Sequence, residues 1–138
     1  MSNPNDYRLE DQIGFKLRLA NQKHLEVFSR LMPDVTPTQF AVLAKLNETG
    51  SISPNHLGRL VGMDAATTKG VGDRRKKKGF LVSAQSQKDL RRLHISLTPE
   101  WQMFTIKTIS NARHISARTA ANLSPRELDR LLNLLDKL

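Results

Sequence analysis

The chain contains no cysteine. That removes disulfides, thiolate metal sites and cysteine nucleophiles from consideration, and it fits a reducing compartment. No apolar run approaches the roughly eighteen residues of a membrane span, and the polar stretch Met1 to Arg8 holds no apolar segment ahead of a cleavage site. A protein dissolved in the cytoplasm, with no membrane partner, is expected. Catalytic and metal-binding constellations are equally scarce. His24, His56, His94 and His114 lack ligand spacing on one helix, and the thirteen acids are scattered singly without a Ser/His/Asp order or a carboxylate pair. Gly70 and Gly72 have G-x-G spacing, but no strand precedes them and no third glycine follows at the interval a nucleotide loop needs. No metal, cofactor or enzymatic activity is expected.

Positive charge is what the chain does have, and it is concentrated. Residues 1–50 hold six Lys/Arg against six Asp/Glu, residues 51–98 hold ten against three, and residues 99–138 hold six against four. The net +9 thus divides into about 0, +7 and +2 along the chain. Charge focused on one segment is the footprint of a protein that meets a phosphate backbone.

Length and pattern predict one domain, mainly α-helical with a small β-hairpin. Thr36-Pro37-Thr38-Gln39 and Ser124-Pro125-Arg126-Glu127 are capping boxes with proline at the first helical position. Ser53-Pro54 and Thr98-Pro99 repeat the cap without the closing Gln or Glu, Asp64 can cap a fifth helix, and the segment from about Leu9 to Met32 supplies a sixth. Residues 1–6 are expected to be a disordered tail.

The first helix carries Leu9, Ile13, Leu17, Ala20, Val27, Phe28 and Leu31 on one stripe, with Phe15 and Leu19 nearly opposite. Leu128, Leu131, Leu132, Leu134, Leu135 and Leu138 wrap more of the last helix than one interface requires. Both terminal helices therefore predict a second surface to bury, such as another subunit. Between them, Phe40, Val42, Leu43 and Leu46 mark a second helix ended by Gly50, and Leu57, Leu60 and Val61 mark a short third one that turns at Val61-Gly62-Met63. Two short helices so joined make a helix-turn-helix, whose second helix enters the major groove. Phe80, Leu81 and Val82 then lead into a strand. Ser86-Gln87-Lys88-Asp89 gives a polar turn, and Leu93, Ile95 and Leu97 alternate with Arg92, His94 and Ser96 on the return.

On the helix begun by Asp64, Ala65 and Ala66 are small enough to meet a thymine methyl, Thr67 and Thr68 can bond base edges or phosphates, and Lys69 can reach guanine or backbone. Ser53, at the start of the helix-turn-helix, is counted with these DNA contacts. Gly70 and Gly72 each cost roughly 1 kcal/mol in a helix interior, which a close backbone approach would justify. In the run Arg74-Arg75-Lys76-Lys77-Lys78, two or three charges suit a helix C-terminus. Five in succession cover every azimuth, so some face solvent.

Asp89-Leu-Arg91-Arg-Leu-His-Ile-Ser-Leu97-Thr98 resembles the Asp-x-Arg-x5-Leu-Thr pattern of the MarR-type winged-helix regulators, and Thr36-Pro-Thr-Gln-Phe-Ala-Val-Leu, Leu57-Gly-Arg-Leu and Met63-Asp-Ala-Ala-Thr-Thr-Lys-Gly70 resemble phrases of that family in the same order. The resemblance implies a winged helix-turn-helix over about 35–98 and dimerisation helices over about 8–32 and 99–138. It implies a homodimer on a pseudo-palindromic double-stranded DNA operator. Arg74 would pair with Asp89 at the base of the wing, while Arg91, with Lys88 beside it, would reach the minor groove. The chain departs from the family after Arg74, where Arg75 and Lys76 replace leucine and an acid. Position 75 lies four after Val71 and eight after Thr67, so it points toward the core, where an unpaired charge costs several kcal/mol unless it snorkels out.

Relatives of this type bind small aromatic carboxylates or phenols in a crevice lined by the first helix. By that resemblance Phe15 could stack on such an effector, with Arg18, Gln22 and His24 meeting its carboxylate or hydroxyl. His24 also lies on the apolar stripe, where a hydrogen bond to a backbone carbonyl would account for it without any ligand. The expected function is a transcriptional repressor released by a small aromatic acid or its thioester. The alternative is an architectural or RNA-binding basic protein without an effector.

Overall fold

A computed structural model describes residues 3–63, 81–85 and 93–138. Among these residues the chain forms helices α1 (Ile13–Leu31), α2 (Pro37–Thr49), α3 (Pro54–Val61), α4 (Pro99–Thr119) and α5 (Pro125–Leu135), with strands β1 (Leu81–Gln85) and β2 (Leu93–Leu97). Two compact units emerge, one built from Met1–Leu31 with Asn111–Leu138 and the other from Met32–Ser110. The division falls inside α4, so residues 99–110 belong with the winged unit and not with the terminal helices.

The N-terminal stretch has local structure where a disordered tail was expected. Asn3 caps a 3-10 turn over Pro4–Asp6: its side chain accepts from the Asn5 N–H at 3.0 Å, and its own N–H donates to Asp6 Oδ2 at 3.3 Å. Leu9 is also displaced from the first helix. It lies in a separate 3-10 turn, Leu9–Asp11, because Gln12 adopts an extended conformation between the two. The Gln12 side-chain amide donates to the Arg8 carbonyl at 2.9 Å, and its main-chain carbonyl receives the Lys16 N–H at 3.1 Å, so Gln12 closes one turn and opens α1. Pro33 restricts Met32 to non-helical geometry, and α1 stops at Leu31.

In the winged unit, α2 begins with the expected reciprocal box. The Gln39 N–H donates to Thr36 Oγ1 at 3.1 Å, and the Thr36 N–H donates to Gln39 Oε1 at 2.9 Å. Gly50 ends the helix at φ +82°, a conformation side chains avoid, and its N–H donates to the Leu46 carbonyl. Val42, Leu43 and Leu46 of α2 are buried with Leu57 and Gly58 of α3, Ile95 of β2, and Trp101 and Thr105 of α4. Thr105 is tolerated in this core because its hydroxyl donates to the Trp101 carbonyl at 2.8 Å. Trp101 also meets Phe104 edge-on, with ring centroids 4.9 Å apart. Leu60, expected inside with Leu57 and Val61, is instead 45% exposed. It lies about 60° around α3 from Leu57, on the far side from Val61, enough to carry it off the buried face.

In the other unit α1 buries only Phe28, and α5 buries none of its residues. Ile115 of α4 is buried as well. Ser124 starts α5 as the sequence predicts, accepting from the Glu127 N–H at 3.1 Å while Glu127 receives the Ser124 N–H at 2.8 Å. Leu131, Leu132, Leu134, Leu135 and Leu138 are 40–72% exposed. The N-terminal half of the α1 stripe, at Ile13 and Leu17, and the leucines of α5 are thus open within one chain.

Candidate nucleic-acid interface

The candidate interface is built on β2. Its antiparallel partner β1 runs from Leu81 opposite Leu97 to Gln85 opposite Leu93, which leaves residues 86–92 to connect the strands. On the opposite edge Ile52 forms an isolated bridge to Ile95: the Ile52 N–H donates to the Ile95 carbonyl at 3.1 Å and the Ile95 N–H donates back at 2.8 Å. Both main-chain groups of Ile95 are therefore taken by Ile52. Nothing in the sequence pattern marks Ile52 as a sheet residue, because a one-residue bridge is too short to show the period-two alternation of a strand.

The chain passes directly from that bridge into α3. Ser53 caps the helix by accepting the His56 N–H at 3.2 Å, and Pro54 fills the first helical position. At the other end Gly62 adopts the left-handed conformation at φ +74°, and the Met63 N–H reaches back to the Gly58 carbonyl at 2.7 Å. This is a Schellman closure, and it halts α3 just before Asp64. The sequence-predicted contact Ser53 is therefore half-buried with its oxygen engaged in capping, while the hydroxyl proton remains available to an acceptor. Ala65, Ala66, Thr67, Thr68, Lys69, Arg74, Lys88 and Arg91 lie outside the described residues, as do Asp64, Arg75 and Asp89.

The four residues assigned to an effector do not gather on one side of α1. The Arg18 guanidinium sits over the Phe15 ring, 5.4 Å from its centroid. Gln22 lines an open depression on the same face with Leu25, Glu26 and Ser29. His24 is nine residues from Phe15 and so about 180° around the helix. There its Nδ1 is 2.9 Å from Thr119 Oγ1, and its ring tilts against Phe28 at 6.3 Å. A side-chain hydroxyl of α4, and not a backbone carbonyl, accounts for this half-buried histidine. No group of three or more His, Asp or Glu that could hold a metal occurs among the described residues, and no helix there is long and apolar enough to cross a membrane.

Residues 35–93 match the MarR family profile. A probable transcriptional regulator from Pseudomonas aeruginosa superposes with a TM-score of 0.89 at 43% identity, covering 94% of this chain and 98% of that one. The chain belongs to the MarR family. A second MarR-like neighbour in fold, BpsR of Bordetella bronchiseptica, whose DNA binding is regulated by 6-hydroxynicotinic acid, superposes with a TM-score of 0.89 at 30% identity over 95% of each chain. The transcriptional repressor NicR of Pseudomonas putida is 29% identical over 134 residues, 96% of this chain and 85% of its own. Membership assigns α3, as described, to the helix-turn-helix and β1–β2 to the wing of a MarR-type regulator.

Proposed function

We propose that this MarR-family protein is a homodimeric repressor that binds a pseudo-palindromic DNA duplex and lets go when a small aromatic carboxylate binds. The observation that carries this is the likeness to BpsR over 95% of both chains, since BpsR couples DNA binding to a hydroxylated aromatic acid. The open leucines of α5 and the exposed Ile13 and Leu17 of α1 support burial against a second copy. The DNA contacts in this proposal are Ser53, Ala65, Ala66, Thr67, Thr68, Lys69, Arg74, Lys88 and Arg91.

Release is a population shift between a form whose two recognition helices match successive major grooves and one whose helices do not. A hundredfold loss of operator affinity requires the effector to favour the second form by about a hundredfold, or about 2.7 kcal/mol. Arg18, beside Phe15, supplies a charge and an aromatic face for such an acid, and Gln22 a carboxamide. Glu26 lies in the same depression as Gln22 and would repel a carboxylate, which favours the Phe15 and Arg18 end of α1. His24 is a separate contact on the opposite side.

The test uses a duplex enriched by this protein from a randomised pool, with 6-hydroxynicotinic acid and related hydroxylated aromatic acids added in turn. Dissociation of the enriched duplex by one of these acids, lost in Arg18→Ala, is expected. Arg91→Ala should weaken enriched and random duplexes alike, whereas Lys69→Ala should blunt discrimination between them. Equal affinity of the unaltered protein for enriched and random duplexes would overturn sequence-specific repression in favour of an architectural role.

A further inference from the structure

We infer that a niche inside the winged unit binds a small, uncharged lactam or carboxamide, at a place separate from the α1 face assigned to the effector. Leu46, Asn47 and Gly50 at the end of α2, Ser96 and Leu97 of β2, and Gln102 of α4 line a space of about 120 Å³. That approaches the roughly 150 Å³ of a cavity that takes up benzene, and it is several times the roughly 30 Å³ of one water. Leu46 is buried and Leu97 half-buried, which gives the niche apolar walls. Asn47 and Ser96 are half-buried as well, while Gln102 is exposed at the rim. A Cβ placed on Gly50 would meet nothing within 4 Å, so the side at Gly50 is open to entry.

The chemistry of the lining selects the occupant. None of the six side chains ionises, so a carboxylate or an ammonium group would lose water there without meeting a counter-charge. Asn47 and Gln102 each bring a carboxamide that both donates and accepts, and the Ser96 hydroxyl can do either. A lactam or primary carboxamide carries one N–H and one C=O side by side on a planar frame, the complement of a carboxamide edge, and its carbon atoms suit the two leucines. A frame of about six non-hydrogen atoms, the size of benzene, matches the space. The niche also adjoins the DNA-binding elements. Ser96 follows Ile95, which is bonded in both directions to Ile52, and Ile52 precedes the Ser53 cap of α3. An occupant would brace β2 against α2 and α4 beside that junction.

The test is proton–nitrogen correlation NMR of the full chain, titrated with γ-butyrolactam as the probe. Saturable shifts of the Asn47 and Gln102 side-chain amides and of the Ser96 main-chain N–H are expected, with a midpoint at about millimolar concentration. Asn47→Leu keeps the size of the side chain but removes its carboxamide, and it should weaken the probe about tenfold. Gln102→Met, at the exposed rim, should act in the same direction and keeps the test decisive if the first variant folds poorly. Butyrate, an anion with as many non-hydrogen atoms, should leave these resonances in place. Arg18→Ala should leave the lactam titration unchanged, because Arg18 belongs to the α1 face. Shifts that never saturate, equal shifts with butyrate, loss of the titration in Arg18→Ala, or a titration that neither Asn47→Leu nor Gln102→Met alters would each overturn the assignment. Release of the enriched duplex by an aromatic acid is read separately, so that proposal and this one fail independently.

Discussion

His24 Nδ1 lies 2.9 Å from Thr119 Oγ1, joining the middle of α1 to the last residue of α4 across 95 positions of chain. The His24 ring also leans on Phe28, the one buried residue of α1. A double-mutant cycle of His24→Ala and Thr119→Val should give a coupling of about 0.5–1 kcal/mol in denaturant unfolding, the usual net worth of a partly solvated hydrogen bond. His24→Ala alone should cost more than Thr119→Val, because it also removes the contact with Phe28. Strict additivity would mean the hydrogen bond contributes nothing.

Leu57 and Leu60 occupy the same short helix and have opposite fates, at 0% and 45% exposure. Leu57→Ala should destabilise by about 2–5 kcal/mol through lost burial and a cavity beside α2, whereas Leu60→Ala should stay within about 0.5 kcal/mol. Chemical denaturation at one fixed protein concentration separates the two outcomes. Similar losses for both would show that Leu60 is covered in the folded protein.

The Thr36 box satisfies two main-chain donors at the start of α2, the helix that buries Val42, Leu43 and Leu46 in the winged unit's core. Thr36→Ala should lower stability by about 1 kcal/mol, and Thr36→Ser should recover most of it because the hydroxyl alone makes the cap. A neutral alanine variant, judged by its unfolding midpoint, would contradict the energetic role given to the box.

Leu131 and Leu135 stand one turn apart on α5, and both are more than a third exposed. If a second copy covers them, light scattering of the unaltered protein should report about twice the chain mass, and its unfolding midpoint should rise with concentration. Leu131→Ser combined with Leu135→Ser should shift the mass toward a single chain and weaken DNA binding together. Retention of full mass and full affinity by the double variant would remove these leucines from the dimer interface.

Much of this architecture is readable in local sequence. Thr36, Ser53 and Ser124 cap their helices as the cap-plus-proline phrases predict, because capping needs only residues three apart along the chain. Gly50 and Gly62 end helices for the same local reason. The period-two pattern likewise identifies β2, and the leucine-rich circumference of α5 foretells its open face. Family membership was legible too, in the spacing of Asp89, Arg91, Leu97 and Thr98.

Tertiary structure alone decided what depends on partners distant in sequence. Ile52 joins the sheet through Ile95, forty-three residues away, and no periodicity in its own neighbourhood announces that. Leu60 satisfies a helical apolar pattern, but which side of α3 is covered depends on where α2 and β2 lie. Gln12 separates Leu9 from α1 by bonding its side chain to Arg8, a choice between two satisfied backbone geometries that composition does not settle. His24 is the clearest case: the sequence places it on an apolar stripe opposite Phe15, and only the approach of Thr119 supplies its hydrogen-bond partner. Caps, turns and periodicities follow from chemistry within one helical turn, whereas burial and polar pairing follow from which elements meet.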